Sequence, residues 1–430
     1  MMNRRHFLKG TTLAAAPLFL PRSLFGSSSP SNTINLGFIG MGGQGQGRNL
    51  RGFISNENVR VIAVCDCHLK RARQAKRAVD KTYQNKECAL YQDFRDLLAR
   101  EDIDAVVIST PDQWHVPMSL MALEAGKHVF CEKPTLTIVE GRDLVGAFAA
   151  SDRVFQWGIE DRTMTKYYLL AGWARSGLIG DIHEVNCTLP KHDPFSREEP
   201  VAPPKELDWN LWLGPAPFVE YTPSALDMFH WRLNSDYGGG MLSDWGTHLC
   251  DTAQVGLGVD ETGPVEAFGT SRELDSSAWN TDTPIDFELT LKYENGAELH
   301  VADNATYKTL LLEFKGSNGW VRCTGWDGKL EASDPTILRT RNFGPEANYW
   351  PKPKVEHEDF IDAIVAGHRE TAYDPEAGHR LCTALHVGHI ALREGHRVGW
   401  DPREESFTTD RTSNEASKVY TREDRDWENA

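Results

Sequence analysis

The sequence predicts an α/β protein whose N-terminal part is a doubly wound parallel sheet. Three observations carry this: a glycine-rich turn straight after an apolar strand, an acidic residue ending the next strand, and a strand–helix rhythm that continues to about residue 160.

The first strand is Ile34–Ile39, and it runs into Gly40-Met41-Gly42-Gly43-Gln44-Gly45, a G-x-G-x-x-G turn opening a helix that extends to about Ile54. In such a turn Gly40 permits the tight bend, Gly42 lets the backbone approach a pyrophosphate, and Gly45 lets the helix pack on the strand. A second strand, Val59–Val64, leads to Asp66, about 20 residues beyond the glycines, where a carboxylate can accept hydrogen bonds from the adenosine ribose. The same carboxylate repels a 2′-phosphate, so NAD is expected rather than NADP. Strands follow at 105–109, 128–130 and 154–157, with helices at 115–124 and 139–149. Thr110 and Pro111 follow a strand at its carboxyl end, the edge where open α/β sheets bind ligands, and are read as cofactor contacts. His115 is open between a cofactor contact and a surface position.

Composition bounds the class. The chain has 430 residues, 40% hydrophobic and 25% charged, with a formal net charge of −16. That charge argues for a small-molecule partner and against nucleic acid or anionic lipid. Residues 1–31 read as an address: Arg4-Arg5 with Phe7-Leu8-Lys9, an apolar run from Thr11 to Leu20, then a Ser/Pro stretch. The run is short of the roughly 20 residues a bilayer span needs. The expectation is twin-arginine export to the periplasm or another extracytoplasmic space, a route that carries folded protein with its cofactor already loaded. No clear cleavage site stands out. Eight cysteines lack a regular spacing, so buried thiols are expected, with no metal and no defined disulfide framework.

After the strand 128–130 comes Cys131-Glu132-Lys133-Pro134, and here the chain resembles the Gfo/Idh/MocA oxidoreductases, the glucose-fructose oxidoreductase and inositol dehydrogenase superfamily. The resemblance extends over Ala125-Gly126-Lys127-His128, Gly177-x-x-Gly180, and Gly238-Gly239-Gly240 with Asp244 and His248. It implies a Rossmann domain (32–160) followed by a C-terminal α+β domain (161–430) with a large, mostly antiparallel open sheet that covers the nicotinamide and mediates homo-oligomerisation. Candidate strands lie at 182–189, 265–269, 285–293, 297–302, 310–315 and 319–324, separated by turn residues. Helical patterns at 355–366 and 375–393 are expected to pack back on the Rossmann domain.

Hydride transfer needs a proton acceptor, donors for the developing alkoxide and a closed pocket. Lys133, at a strand's carboxyl end, can polarise the reacting oxygen. Pro134 restrains the backbone that aims it, and Glu132 is expected to pair with a neighbouring cation or the cofactor ribose. Asp244 and His248 stand four residues apart on an expected helix, hence on one face. By resemblance to inositol dehydrogenases, His248 is the general base, and Asp244 binds a substrate hydroxyl or orients the imidazole. Arg162, His230 and Arg232 are further substrate-binding candidates; Trp209, Trp212 and Trp231 suit sugar stacking but are left to the core.

The function expected is an exported NAD-dependent oxidoreductase acting on a sugar, glycoside or cyclitol hydroxyl, with a tightly held cofactor. Two alternatives stand beside it. One is redox-neutral glycoside cleavage by oxidation, elimination and reduction, as in the NAD-dependent α-N-acetylgalactosaminidase type, which suits a compartment without free NAD. The other is a non-enzymatic NAD-binding sensor, against which Lys133, Asp244, His248 and export all argue.

Overall fold

The computed structural model describes residues 33–343, 352–408 and 418–427. The expected export segment, 1–31, lies outside them. No helix among the described residues is long and apolar enough to cross a membrane.

Six strands, β1 (Ile34–Ile39), β2 (Val59–Cys65), β3 (Ala89–Tyr91), β4 (Ala105–Ile108), β5 (His128–Cys131) and β6 (Phe155–Trp157), form one parallel sheet in the order β3-β2-β1-β4-β5-β6. The order reverses between β1 and β4, which opens a crevice at the carboxyl ends of these strands. Helices α1 (Leu50–Ile54), α2 (Leu69–Tyr83), α3 (Phe94–Leu98), α4 (His115–Glu124) and α5 (Ile138–Ala150) connect them, and α6 (Thr165–Arg175) leads onward. The inner strands are buried on both faces, β4 throughout, as a parallel sheet requires, while the edge strand β3 is half-buried.

Two local features differ from the sequence reading. The helix after the glycine turn begins as a π-helical turn, Gly45–Asn49, before α1. A side chain on Gly45 would lie 2.0 Å from the Gly40 carbonyl oxygen, so the turn closes too tightly for any larger residue. The stretch containing α2, β3 and α3 was not read as regular structure because α2 buries only Ala72, Ala75 and Val79 beneath a charged surface, leaving a weak apolar signature.

The second sheet has nine strands: β7 (Ile182–Pro190), β8 (Glu266–Thr270), β9 (Glu288–Lys292), β10 (Glu298–Ala305), β11 (Leu311–Gly316), β12 (Gly319–Thr324), β13 (Lys329–Ala332), β14 (Val398–Asp401) and β15 (Ser406–Phe407). Their order is β13-β12-β11-β7-β10-β9-β8-β14-β15, antiparallel except where β10 meets β7. One face buries alternate residues such as Val185, Leu289, Leu299, Leu312 and Val321. Helices α7 (Trp209–Leu213), α8 (Gly240–Asp244), α9 (Gly246–Leu257), α10 (Glu356–Ala366) and α11 (Pro375–Glu394) complete the chain. α9 and α11 cover the sheet, while α10 and α11 also reach back to β6, α1 and α5. α11 starts with Asp374 capping the Ala377 N–H and Pro375 in the first turn, and stops at Gly395 in left-handed conformation.

The cysteines are thiols, seven of them buried and Cys67 half-buried.

Candidate active site

The glycine turn is built to bring backbone close to a ligand. Gly40 has φ +86°, and a side chain there would strike the Ser109 carbonyl oxygen at 2.5 Å; beside Gly42 the space is open, with Arg71 at 4.0 Å. Asp66 ties the neighbouring strand to this turn: its carboxylate accepts the Met41 N–H at 2.7 Å and the His68 N–H at 2.8 Å. Gly40, Gly42, Gln44, Asp66, Thr110 and Pro111 line one cavity. A glycine cradle, free space above it and a carboxylate at the far end suit a dinucleotide with its pyrophosphate on the turn and a ribose at Asp66.

The cavity is roofed by residues far away in sequence. Leu211, Trp212, Leu226, Met228, Trp231 and Arg232 line its other side. The segment leading into α7 is laced to the end of β2: Leu69 donates to the Glu206 carbonyl at 2.9 Å, Asp208 donates to the Cys67 carbonyl at 3.0 Å, and Arg73 pairs with Glu206. Trp114, which lines the cavity, is backed by Trp427 of the C-terminal tail, packed edge-on at 4.9 Å.

Lys133 sits just beyond β5, and the Lys133–Pro134 peptide is cis. Its ammonium donates to Asp244 twice, to Oδ1 at 2.6 Å and to the backbone carbonyl at 2.7 Å. Arg232 Nε lies 3.3 Å from the other carboxylate oxygen. Burial opposes ionisation of Asp244, but the charges of Arg232 and Lys133 outweigh it and hold the carboxyl well below its ordinary range. Asp112 lies in the same field; burial pushes it up to about 7, opposed by Arg232 and reinforced by Asp244.

Asp244 and His248 do not share one helix: α8 ends at Asp244 and α9 begins at Gly246. Their partners differ accordingly. His248 Nδ1 lies 2.8 Å from Asp161 Oδ2, so Asp161, not Asp244, is the carboxylate in contact with the imidazole. Burial, then the charge of Lys133, pushes the His248 ring down to about 4. Asp161 is fully buried, and burial together with the Asp251 charge raises it well above the usual carboxylate range. Glu160 Oε2 is 3.9 Å from His248 Nδ1 and 3.3 Å from Arg48. Glu160, Asp161 and His248 are the one trio of ligand-type side chains grouped within 4.8 Å among the described residues. Arg48 supplies positive charge there from the protein itself.

Other candidates occupy different places. The Arg162 guanidinium is taken up by Asp251 at 2.7 Å and the Ala372 carbonyl at 3.0 Å, as a buried structural pair rather than a substrate arm. His230 packs against Phe195, the rings tilted by 44° with centroids 3.5 Å apart. Glu132 makes no ion pair with a cation among the described residues; it accepts from the amides of Gln44 at 2.9 Å and Asn49 at 2.8 Å. His115 is buried and spans the carbonyls of Pro134 at 2.8 Å and Thr110 at 2.9 Å, bracing two loops.

Sequence reasoning missed Asp161, Glu160, Asp112 and an aromatic wall. Trp245 packs 5.1 Å from both Tyr307 and Trp326, and Trp326 lies 5.5 Å from His248. Glu160 and Asp161 were findable, because they follow the carboxyl end of β6, the ligand-binding edge. Tyr307 and Trp326 carry no local signal.

Comparison with known proteins agrees with this geometry. Residues 34–159 match the model of an oxidoreductase family's NAD-binding Rossmann fold, and 195–428 match that family's C-terminal alpha/beta domain. A glycosyl hydrolase family 109 protein of Shewanella pealeana is 35% identical over 161 residues, 32% of this chain and 35% of that protein. An alpha-N-acetylgalactosaminidase of Shewanella oneidensis is 33% identical over 162 residues, again 32% of this chain and 35% of that protein. The chain thus spans about a third of the length of these relatives. The WlbA dehydrogenase of Bordetella pertussis, solved with NADH and UDP-GlcNAcA, superposes with a TM-score of 0.62 at 17% identity, covering 85% of this chain and 98% of that one. With the glycine cradle, Asp66 and both family models in register, the chain belongs to the Gfo/Idh/MocA oxidoreductase family and uses NAD as its cofactor.

Proposed function

We propose that this protein oxidises a hydroxyl-bearing carbon of a sugar, glycoside or cyclitol to a carbonyl, or reduces such a carbonyl back to the hydroxyl, with NAD retained between turnovers, after twin-arginine export. The observation that carries the reading is Lys133 meeting Asp244 at 2.6 Å, with His248 a turn further on. Bound NAD supplies the hydride acceptor or donor. Lys133 is the cation that stabilises charge developing on the substrate oxygen, and Asp244, kept ionised, holds that ammonium and is available to a neighbouring hydroxyl. His248, neutral through its burial, takes the hydroxyl proton at Nε2. Arg232 closes the cluster from the roof segment, and the wall of Trp245, Tyr307 and Trp326 suits the apolar face of a sugar ring.

Retention is supported by the roof over the cofactor cavity, laced to β2 by backbone hydrogen bonds. The same enclosure, with the names of the curated relatives, favours redox-neutral glycoside cleavage as the second reading. We also propose that the second sheet's open face joins copies of the chain.

The test is to express the full chain, separate periplasm from cytoplasm, release nucleotide by denaturation and identify it by mass spectrometry. The protein is then offered a panel of free sugars, cyclitols and glycosides. Stoichiometric NAD with a keto product supports the first reading, and aglycone release without net NADH supports the second. Protein that neither contains nor binds NAD overturns both.

A further inference from the structure

Two adjacent residues on the β6 loop grip α9 one turn apart. Arg162 takes Asp251, and Asp161 takes His248. The loop is rigidly seated: Gly158 donates to the Cys131 carbonyl at 2.7 Å, a side chain on it would meet the Glu132 carboxylate at 3.0 Å, and Ile159 is buried. A fully buried carboxylate is therefore set against one edge of the imidazole from the cofactor-binding half of the protein.

We infer that Asp161 is the positioning residue of the reaction: it holds the proton of His248 on Nδ1, so that Nε2 carries the lone pair that receives the substrate's proton. This rests on the reading of His248 as the base. When the pair carries a single proton Asp161 is ionised, and a contact of 2.8 Å between Nδ1 and Oδ2 is then attractive only if Nδ1 bears that proton; the second proton, which burial of Asp161 favours, is the one the substrate supplies. When the substrate hydroxyl gives up its proton, an N–H bond forms at Nε2 as the O–H bond breaks. The pair then goes from one negative charge to none. Burial, which resists charging His248 alone, thus favours protonating the pair as a unit. The other charged groups facing it are Glu160, Asp244, Asp251, Lys133 and Arg48; Asp251 is neutralised by Arg162, and Glu160 shares Arg48 with Glu356.

The tautomer can be read without any substrate. In full-length protein carrying its NAD, with ¹⁵N-labelled histidine and His248→Gln to assign the signal, Nδ1 should be protonated and Nε2 bare at neutral pH. Asp161→Asn, close to isosteric, should raise the Nε2-protonated form, cut turnover by about 100-fold or more, and move the acid limb of the kcat profile to lower pH. Asp161→Glu should recover part of the rate. An Nε2-protonated ring in the native protein, or an unchanged tautomer in Asp161→Asn, overturns the inference. The first of these needs no variant to fold. If the tautomer is as expected but His248→Ala turns over normally, the base assignment fails and the Asp161 contact stands as structural only.

Discussion

Lys133 and Asp244 stand 2.6 Å apart although 111 residues separate them in the chain. One follows a strand of the parallel sheet and the other ends a helix of the second half, so the proposed reacting centre exists only where the two halves meet. Lys133→Ala should leave Asp244 beside Arg232 and lower turnover by about 100- to 1,000-fold, the scale of losing one stabilising donor at a developing oxyanion. NAD content measured on the same preparation should not change. Normal turnover would remove Lys133 from the site.

Asp66 braces the glycine turn through Met41 and His68. Asp66→Ala strips both acceptors from a buried position, which costs about 1–3 kcal/mol each where no water replaces them. Calorimetric titration of nucleotide-free protein should give NAD affinity weakened by about tenfold or more and a narrower preference over NADP. Unchanged affinity would mean that the carboxylate serves the fold alone.

The Arg162–Asp251 pair, with side chains 11% and 2% exposed, is a stability element. Removing one partner leaves a buried charge, so Arg162→Ala should destabilise by about 3–5 kcal/mol in chemical unfolding. Replacing both with apolar residues should cost less than either single change. A merely additive result would argue against coupling.

Buried histidines set an acid limit on stability. Burial is the leading cause that pushes His115 and His248 down to about 4, and His357 and His386 to about 3. Each lies below the unfolded value of about 6.5. The unfolded chain therefore gains protons first as pH falls: this stability is full above about pH 6.5 and is lost toward pH 4, each ring costing on the order of 1–2 kcal/mol at about pH 5. Asp112 and Glu356, raised to about 7 mainly by burial, have the opposite sign. Their contribution is present below about pH 4 and is lost as pH rises through 7. With four rings set against two carboxyls, urea midpoints should fall as pH drops from about 6.5 toward 4 and level off above about pH 7.

Trp427 clamps the tail against Trp114 beside the cofactor cavity. Trp427→Ala should loosen the roof and accelerate NAD release by about tenfold, the effect of losing about 1.4 kcal/mol. Stopped-flow fluorescence of bound NADH chased by NAD reads this directly, and an unchanged rate would show that the tail is not part of the closure.

Local order was legible where chemistry repeats at short range. β1, the glycine turn, β2 and Asp66 follow from apolar runs and from the few residues that tolerate a tight turn, and Glu132-Lys133-Pro134 marks the lysine proposed to react. The charged surface of α2 hid its alanine stripe, and β14 and β15 are too short to leave a pattern. The spacing from Asp244 to His248 suggested a shared face, but spacing does not choose partners. That choice belonged to the tertiary structure, because hydrogen bonds and burial act through space: it gave Asp244 to Lys133, His248 to Asp161 and Arg162 to Asp251, it folded a distant loop over the cofactor cavity, and it packed the C-terminal tail against Trp114 beside it. By itself the sequence determined the class of fold, the cofactor and the residues capable of the chemistry. Which of them face each other, and in what state of charge, was decided by the packing of the two sheets, since an ionisable group's behaviour is set by its neighbours in space and by its distance from water.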